Sequence, residues 1–208
     1  RHTRLQGDWS SDVCSSDLPN GMRVGSFSLY PSISSGGGMD SNVFNSPQAI
    51  SDYFYAVNTG VEMKSGWSRH ELTLNARTKS VWFATQASEN QTDWDIRADL
   101  RLDLVRGTTM SVAGDYALSH EARGMEHPGG VQPGDASAPT EFTSNDLDVQ
   151  FEHTFNRLKL SLDGALTQLD YVDGETIPLP SQQPLVMNND DRDRSTTRFS
   201  GKASYEMW

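Results

Sequence analysis

The chain has 208 residues, 35% of them apolar and 22% charged, with a formal net charge of -11. No window supplies the roughly 18 to 20 apolar residues of a spanning helix, which excludes a helical membrane protein, and the acidic balance speaks against nucleic acid, which needs a basic face. A spanning β-strand needs only about 9 to 11 residues with alternate positions apolar, so a soluble β-sandwich and a membrane β-barrel both stay open.

In chain order, residues 1–18 stand apart. Segment 8–18, DWSSDVCSSDL, reads as the translation of a common short-read sequencing adapter, and RHTR at 1–4 fits the same adapter. We expect 1–18 to be an artefact, set aside together with Trp9 and Cys14, and 19–208 to be part of a barrel. Cys14 is the sole cysteine and offers neither an internal disulfide nor a thiolate cluster.

From Met22 onward the dominant signal is period-two alternation, the mark of strands with one apolar and one polar face. Phe27, Leu29 and Ile33 begin the series, with Pro31 tolerable only near a sheet edge or bulge. Tyr53, Tyr55, Val57, Val61 and Met63 follow, then His70, Leu72, Leu74 and Ala76. The clearest case is 94–104, where Trp94, Ile96, Ala98, Leu100, Leu102 and Leu104 alternate with Asp95, Arg97, Asp99, Arg101 and Asp103. No helix of period 3.6 sorts these residues so cleanly. Further strands carry Met110, Val112, Tyr116 and Leu118; Leu147, Val149, Phe151 and His153; Leu158, Leu160, Leu162 and Leu166; and Phe199, Ala203, Tyr205 and Met207. About eight strands are predicted, an all-β antiparallel transmembrane barrel fragment.

The predicted connections alternate in length. Short ones fall near 65–68, 105–108 and 155–157, and long ones near 38–51, 79–92, 119–142 and 170–195. Tight periplasmic turns and long external loops alternate in this way in outer-membrane barrels, whereas sandwiches mix their lengths. The long loops are rich in Gly, Pro, Asp, Asn and Ser, which predicts solvated, mobile segments.

No catalytic constellation emerges. His120, Glu121, Glu126 and His127 match no zinc spacing, and no Gly-x-Ser-x-Gly elbow occurs. The run from Asn188 to Arg194 lacks the EF-hand pattern, and its arginines partly neutralise its acids. Residues 90–92 match a glycosylation sequon, a short match that carries no functional reading by itself. No cofactor, metal or enzymatic activity is expected. Tyr53, Tyr55, Trp67, Trp82, Phe83 and Trp94 fall near predicted strand ends, where amphipathic rings favour the membrane interface.

Two stretches carry a resemblance: SFSLYPSISSGGGMDSNVF at 26–44 and SDYFYAVNTGVEMKSGWSRHELTLNA at 51–76. They resemble the opening of the putative β-barrel porin type 2 family of Gram-negative outer-membrane proteins. The matching residues are Leu29, Tyr30, Pro31, Ser32, Asp40, Asn42, Ser65, Trp67, Ser68, Arg69 and His70, with looser likeness at 90–95 and 139–142. The resemblance implies a fold and an outer-membrane location, and no substrate or catalytic residue.

The leading expectation is a non-enzymatic outer-membrane barrel, a diffusion channel or export-associated pore with a charged lumen. The expected lumen residues are Arg69, Glu71, Arg77, Asp95, Arg97, Asp99, Arg101, Asp103, Asp146, Asp148, Glu152, Lys159, Asp163, Arg198 and Lys202. Their anionic excess would favour cations. Expected partners are outer-membrane lipid and either small solutes or an exported polysaccharide, with no nucleic acid and the oligomeric state open. The alternatives are a structural or adhesive barrel without a pore, and a soluble β-rich binding domain. The polar phase of the last strand, Ser200, Lys202, Ser204 and Glu206, leads to Trp208, so Trp208 is read as a turn rather than a barrel terminus. We expect a curved open sheet with the Phe27 and Tyr205 strands at its edges, and a natural barrel of more than eight strands.

Overall fold

The computed structural model describes residues 21–123, 135–178 and 180–206. Trp9, Cys14, Glu126, His127, Met207 and Trp208 lie outside them. The strands are β1 (Met22–Val24), β2 (Phe27–Asp40), β3 (Asp52–Ser65), β4 (His70–Phe83), β5 (Gln91–Val105), β6 (Thr108–His120), β7 (Glu141–Phe155), β8 (Leu158–Tyr171), β9 (Gly174–Glu175), β10 (Val186–Met187) and β11 (Arg194–Tyr205). Nine of them form one antiparallel sheet in the order β1-β2-β3-β4-β5-β6-β7-β8-β11, while β9 and β10 pair as a ribbon within a loop. Each neighbour in the main sheet is also a neighbour in the chain apart from that ribbon, so the sheet is a pure meander built from hairpins.

All eight long strands correspond to the eight alternating segments of the sequence. The short strand β1 was not expected; it pairs with Phe27, Ser28 and Leu29 and takes the edge position there. Beyond Leu29 β2 is itself the edge, which is where Pro31 sits and where its missing donor is tolerated. The opposite edge is β11, exposed along its whole length, and the sheet is open.

The short connections are tight because their backbones enter the left-handed region. Gly25, Gly107 and Asn156 have φ of 60°, 80° and 53°, at the three two-residue turns. At Gly107 space adds to conformation: a Cβ there would lie 2.9 Å from the Thr154 carbonyl oxygen. The strands run further toward the loops than the alternation alone suggested, β2 to Asp40 and β4 to Phe83. The glycines of β2 permit this, since a Cβ on Gly37 would meet the Phe54 carbonyl at 2.8 Å.

Register holds one phase across the sheet. Leu72, Leu100, Val112, Val149, Gly164 and Phe199 are successive cross-strand partners, so the apolar residues of the long strands share one face. Among the described residues nothing packs on that face. Phe199 is 82% exposed, Ile33 77% and Leu162 61%, and the only buried apolar side chains among the described residues are Val43, Val81 and Ala136. A sandwich would cover such a face with a second sheet, and a soluble sheet of this size would not leave it bare. Among the described residues the only helical elements are two short 3-10 turns, and no helix there is long and apolar enough to cross a membrane.

Candidate functional site: the charged face and the loop end

The register places every lysine and arginine of β2 to β8 and β11 on the face opposite Leu72, Leu100 and Leu162, a face that Leu169 shares with them. Lys64, Arg77, Lys79, Arg97, Arg101, Lys159, Arg194, Arg198 and Lys202 all fall in that phase. So do all the sequence-predicted lumen residues that lie on strands: Glu71, Arg77, Asp95, Arg97, Asp99, Arg101, Asp103, Asp146, Asp148, Glu152, Lys159, Asp163, Arg198 and Lys202. Arg69 is separate. It lies in the connection before β4, where its Nε donates to the Asp103 carbonyl at 2.9 Å and its other arm to the Leu104 carbonyl, bracing the end of β5.

On β3 to β5 the charges neutralise one another pairwise. Lys64 meets Glu62 at 2.8 Å, Arg77 meets its cross-strand partner Asp95 at 3.0 Å, Arg97 meets Asp99 at 2.7 Å and Arg101 meets Asp103 at 3.4 Å. Three of these pairs join residues two apart on one strand, which the alternation of side chains makes neighbours on one face. On β6 to β8 the pattern changes. Lys159 pairs with Glu152 at 2.8 Å, but Asp146 and Asp163 receive only neutral donors, from Thr167 at 2.6 Å and from Gln150 at 2.9 Å and Ser200 at 3.3 Å. Asp115 stands directly opposite Asp146 in the ladder, a like-charge juxtaposition that costs stability. The polar face also carries a trough of about 590 Å³ running from β2 to β6, with Ser32, Ser34, Asn58, Arg77, Asp95 and Asp115 among its lining.

The apolar face is graded along the strands. Next to the short turns it is aliphatic and aromatic, as in Leu104, Leu102, Leu100, Ala98 and Ile96 of β5 or Leu158, Leu160 and Leu162 of β8. Toward the long loops it turns to hydroxyls, amides and acids: Thr78 and Ser80, Thr92, Asn145 and Thr143, Gln168 and Asp170, Thr197 and Ser195. Some of these hydroxyls pair among themselves, Thr59 with Thr78 at 2.7 Å and Ser80 with Thr92 at 3.0 Å. Trp94 tilts against Tyr116 at the changeover and Tyr55 stacks on Trp82 beyond it at the loop end, while Phe27 and Trp67 meet edge-on at the turn end. Phe83 departs from the expected belt: it falls in the polar phase and packs against Phe54 on that side.

The described parts of the long loops are exposed at most positions, as expected of solvated segments, but they are tied down at particular residues that composition does not single out. Asp52 accepts the backbone amides of Tyr53, Thr85 and Gln86 at 2.8 to 2.9 Å, pinning loop 84–90. Asn189, in the run read as a solvated loop, is 1% exposed and bonds Asp173 and the Val172 carbonyl. His120 and Glu121 serve the same architecture: His120 Nδ1 lies 2.8 Å from Asp93, and Glu121 pairs with Arg192. Polar loop residues fold back because Asn and Asp side chains bond nearby backbone and hold a turn without apolar burial. Among the described residues no group of His, Cys, Asp or Glu is arranged to hold a metal ion. Sequence reasoning missed Asp52, Glu89 and Arg123, whose partners are distant in the chain and leave no local motif.

No curated protein and no solved structure matches the chain. Residues 18–208 match the family model described as putative beta-barrel porin 2.

Proposed function

The chain belongs to the putative beta-barrel porin 2 family, and from that membership we propose that it is a non-enzymatic, pore-forming β-barrel of a Gram-negative outer membrane. The single observation that carries this reading is the bare apolar face beside a face that collects every strand cation. Lipid is the solvent that an uncovered apolar sheet face fits, and a water-filled lumen is the one that fits charges. The turn-proximal band, about nine residues rising about 3.4 Å each at a tilt of about 45°, spans roughly 22 Å, close to the apolar band of such barrels. The loop-proximal ends would then stand outside the hydrocarbon as a collar.

The residues assigned to the lumen are those of the polar phase given above. Their effect on permeation is uneven, since the pairs of β3 to β5 cancel while the carboxylates of β6 to β8 do not, so selectivity for cations rests on Asp115, Asp146, Asp148 and Asp163. The transported partner is a small solute or an exported polysaccharide; the bounding partner is outer-membrane lipid. The test is planar-bilayer recording of the natural chain in a salt gradient. We expect a reversal potential of cationic sign that falls toward zero in Asp146→Asn/Asp148→Asn; a conducting pore whose selectivity ignores that pair would overturn the assignment. A second reading, a structural barrel with a closed lumen, is favoured by the bracing of the loops and predicts no conductance at all.

A further inference from the structure

The two ends of the sheet differ in charge. The four short connections, 25–26, 66–69, 106–107 and 156–157, carry three arginines and no carboxylate, whereas the described parts of the long ones carry eight carboxylates against two arginines. Arg69 is already engaged by the carbonyls of Asp103 and Leu104. Arg106 and Arg157 are exposed, and neither enters an ion pair or a side-chain hydrogen bond among the described residues. The two belong to neighbouring turns, because the Thr154 amide donates to the Gly107 carbonyl at 2.8 Å and Thr108 Oγ1 lies 2.6 Å from His153 Nδ1. Of the acids at this end, Glu206 bonds the Arg157 carbonyl through its amide at 2.9 Å, and Glu152 is taken by Lys159.

Beside these turns the apolar face is hollow. A groove of about 590 Å³ runs there over β7, β8 and β11, walled by Phe151, Phe155, Leu160 and Leu162 and floored where Gly201 and Ala203 are small. Register puts all six on one face: Phe151 stands opposite Leu162, Leu162 opposite Gly201, and Leu160 opposite Ala203. His153 lines the groove as well, with its ring 3.8 Å from that of Phe155 and its Nε2 bonded to no described residue. From Phe151 to Phe155, at a tilt of about 45°, the strand covers roughly 10 Å of depth, most of one leaflet of an apolar band about 25 Å tall. The groove thus has the reach of one acyl chain, and its turn end lies beside two free guanidinium groups.

We propose that the β5–β6 and β7–β8 turns and the groove beside them form a binding site for one anionic phospholipid, its phosphate held by Arg106 and Arg157 and an acyl chain laid in the groove. The proposal rests on the reading of the apolar face as lipid-facing. The groove by itself would take any acyl chain, and the arginines select the headgroup. A guanidinium suits a phosphate diester because its planar fork gives two donors to two phosphate oxygens, and free cations at a bilayer surface favour anionic over zwitterionic lipid. A second copy of the chain fits less well. A two-fold contact over the groove would bring the same arginines of both copies together, and the short connections hold no carboxylate to pair them.

The experiment reconstitutes the natural chain in phosphatidylcholine vesicles doped with phosphatidylglycerol, extracts it in mild detergent and counts the retained phospholipid by native mass spectrometry. Heat-modifiable gel migration checks that each barrel is folded. We expect one phosphatidylglycerol per chain, enriched over its share of the vesicle by about ten-fold or more. Arg106→Gln/Arg157→Gln should abolish the enrichment; where that double variant does not fold, Arg157→Gln alone takes its place and should reduce it. Gly201→Leu fills the groove and leaves both arginines, and a Cβ there meets Leu162 at an ordinary 3.5 Å. It should lower retention of phosphatidylglycerol, and Ala203→Leu serves if it does not fold. Full displacement of the lipid by inorganic phosphate would mean a phosphate site without a lipid, and retention of a second chain in place of lipid would mean an interface between copies; either overturns the proposal. A folded wild type without enrichment, or a folded arginine variant that keeps all of it, overturns the site and leaves the lipid-facing reading intact. Failure of the wild type to insert into vesicles of either composition overturns that reading itself.

Discussion

On β5, Leu104, Leu102, Leu100, Ala98 and Ile96 stand on a bare face, whereas a few residues further on the same strand end among loops that bury Glu89, Asn189 and Thr140. At the turn end the backbone is satisfied by the ladder and the side chains await an apolar solvent; at the loop end polar side chains supply each other's partners and need none. On the proposed reading, the difference teaches that one set of strands can meet two media, lipid beside the short turns and water beside the long loops. What changes along the strand is the residue type on a single phase, from leucine to threonine and asparagine, with no change of fold.

The strongest way to break this comparison is to place a charge in the turn-proximal band. Leu100→Arg is expected to destabilise the folded barrel by about 2 to 4 kcal/mol if the site lies at the bilayer midplane, read from denaturant unfolding in lipid vesicles. A cost below measurement would remove Leu100 from lipid. Next in size is Gly107→Ala, which meets both the left-handed φ of 80° and the Thr154 carbonyl. We expect a loss of about 1 to 3 kcal/mol, visible as reduced protease protection of the β5–β6 turn. The matching substitution in the collar, Ser80→Arg, replaces a hydroxyl paired with Thr92 and should cost only about 0 to 1 kcal/mol. If it costs as much as Leu100→Arg under the same conditions, the collar is inside the hydrocarbon after all. Smallest is Asp99→Asn, which loses the half-exposed pair with Arg97; stability should stay within about 1 kcal/mol of the parent, and a larger drop would mean that the charged face is packed rather than wet.

The faces were legible because alternation is a local property. Once Trp94, Ile96 and Leu100 are seen to share a phase, register is nearly forced, since a slip of one residue would turn every leucine to the charged side. Arg69 shows the limit: it has the right phase and charge, yet its guanidinium is held by carbonyls of a strand it meets only after folding. Phe83 shows another, because strand-end aromatics can take either phase and composition does not choose. The ties between the loops were not legible for a related reason. Gly, Asn, Asp and Pro mark where a chain turns, and whether the turns then bond to one another depends on which hairpins become neighbours.

The sequence by itself determined the strands, their two faces, the alternation of short and long connections, and the family to which the chain belongs, because each is written in residues adjacent in the chain. Only the tertiary structure decided which charges cancel, that β1 joins the sheet at its edge, and that Arg123 and Glu89 meet. Those outcomes depend on residues brought together by strand order, where a guanidinium chooses its carboxylate by distance in space.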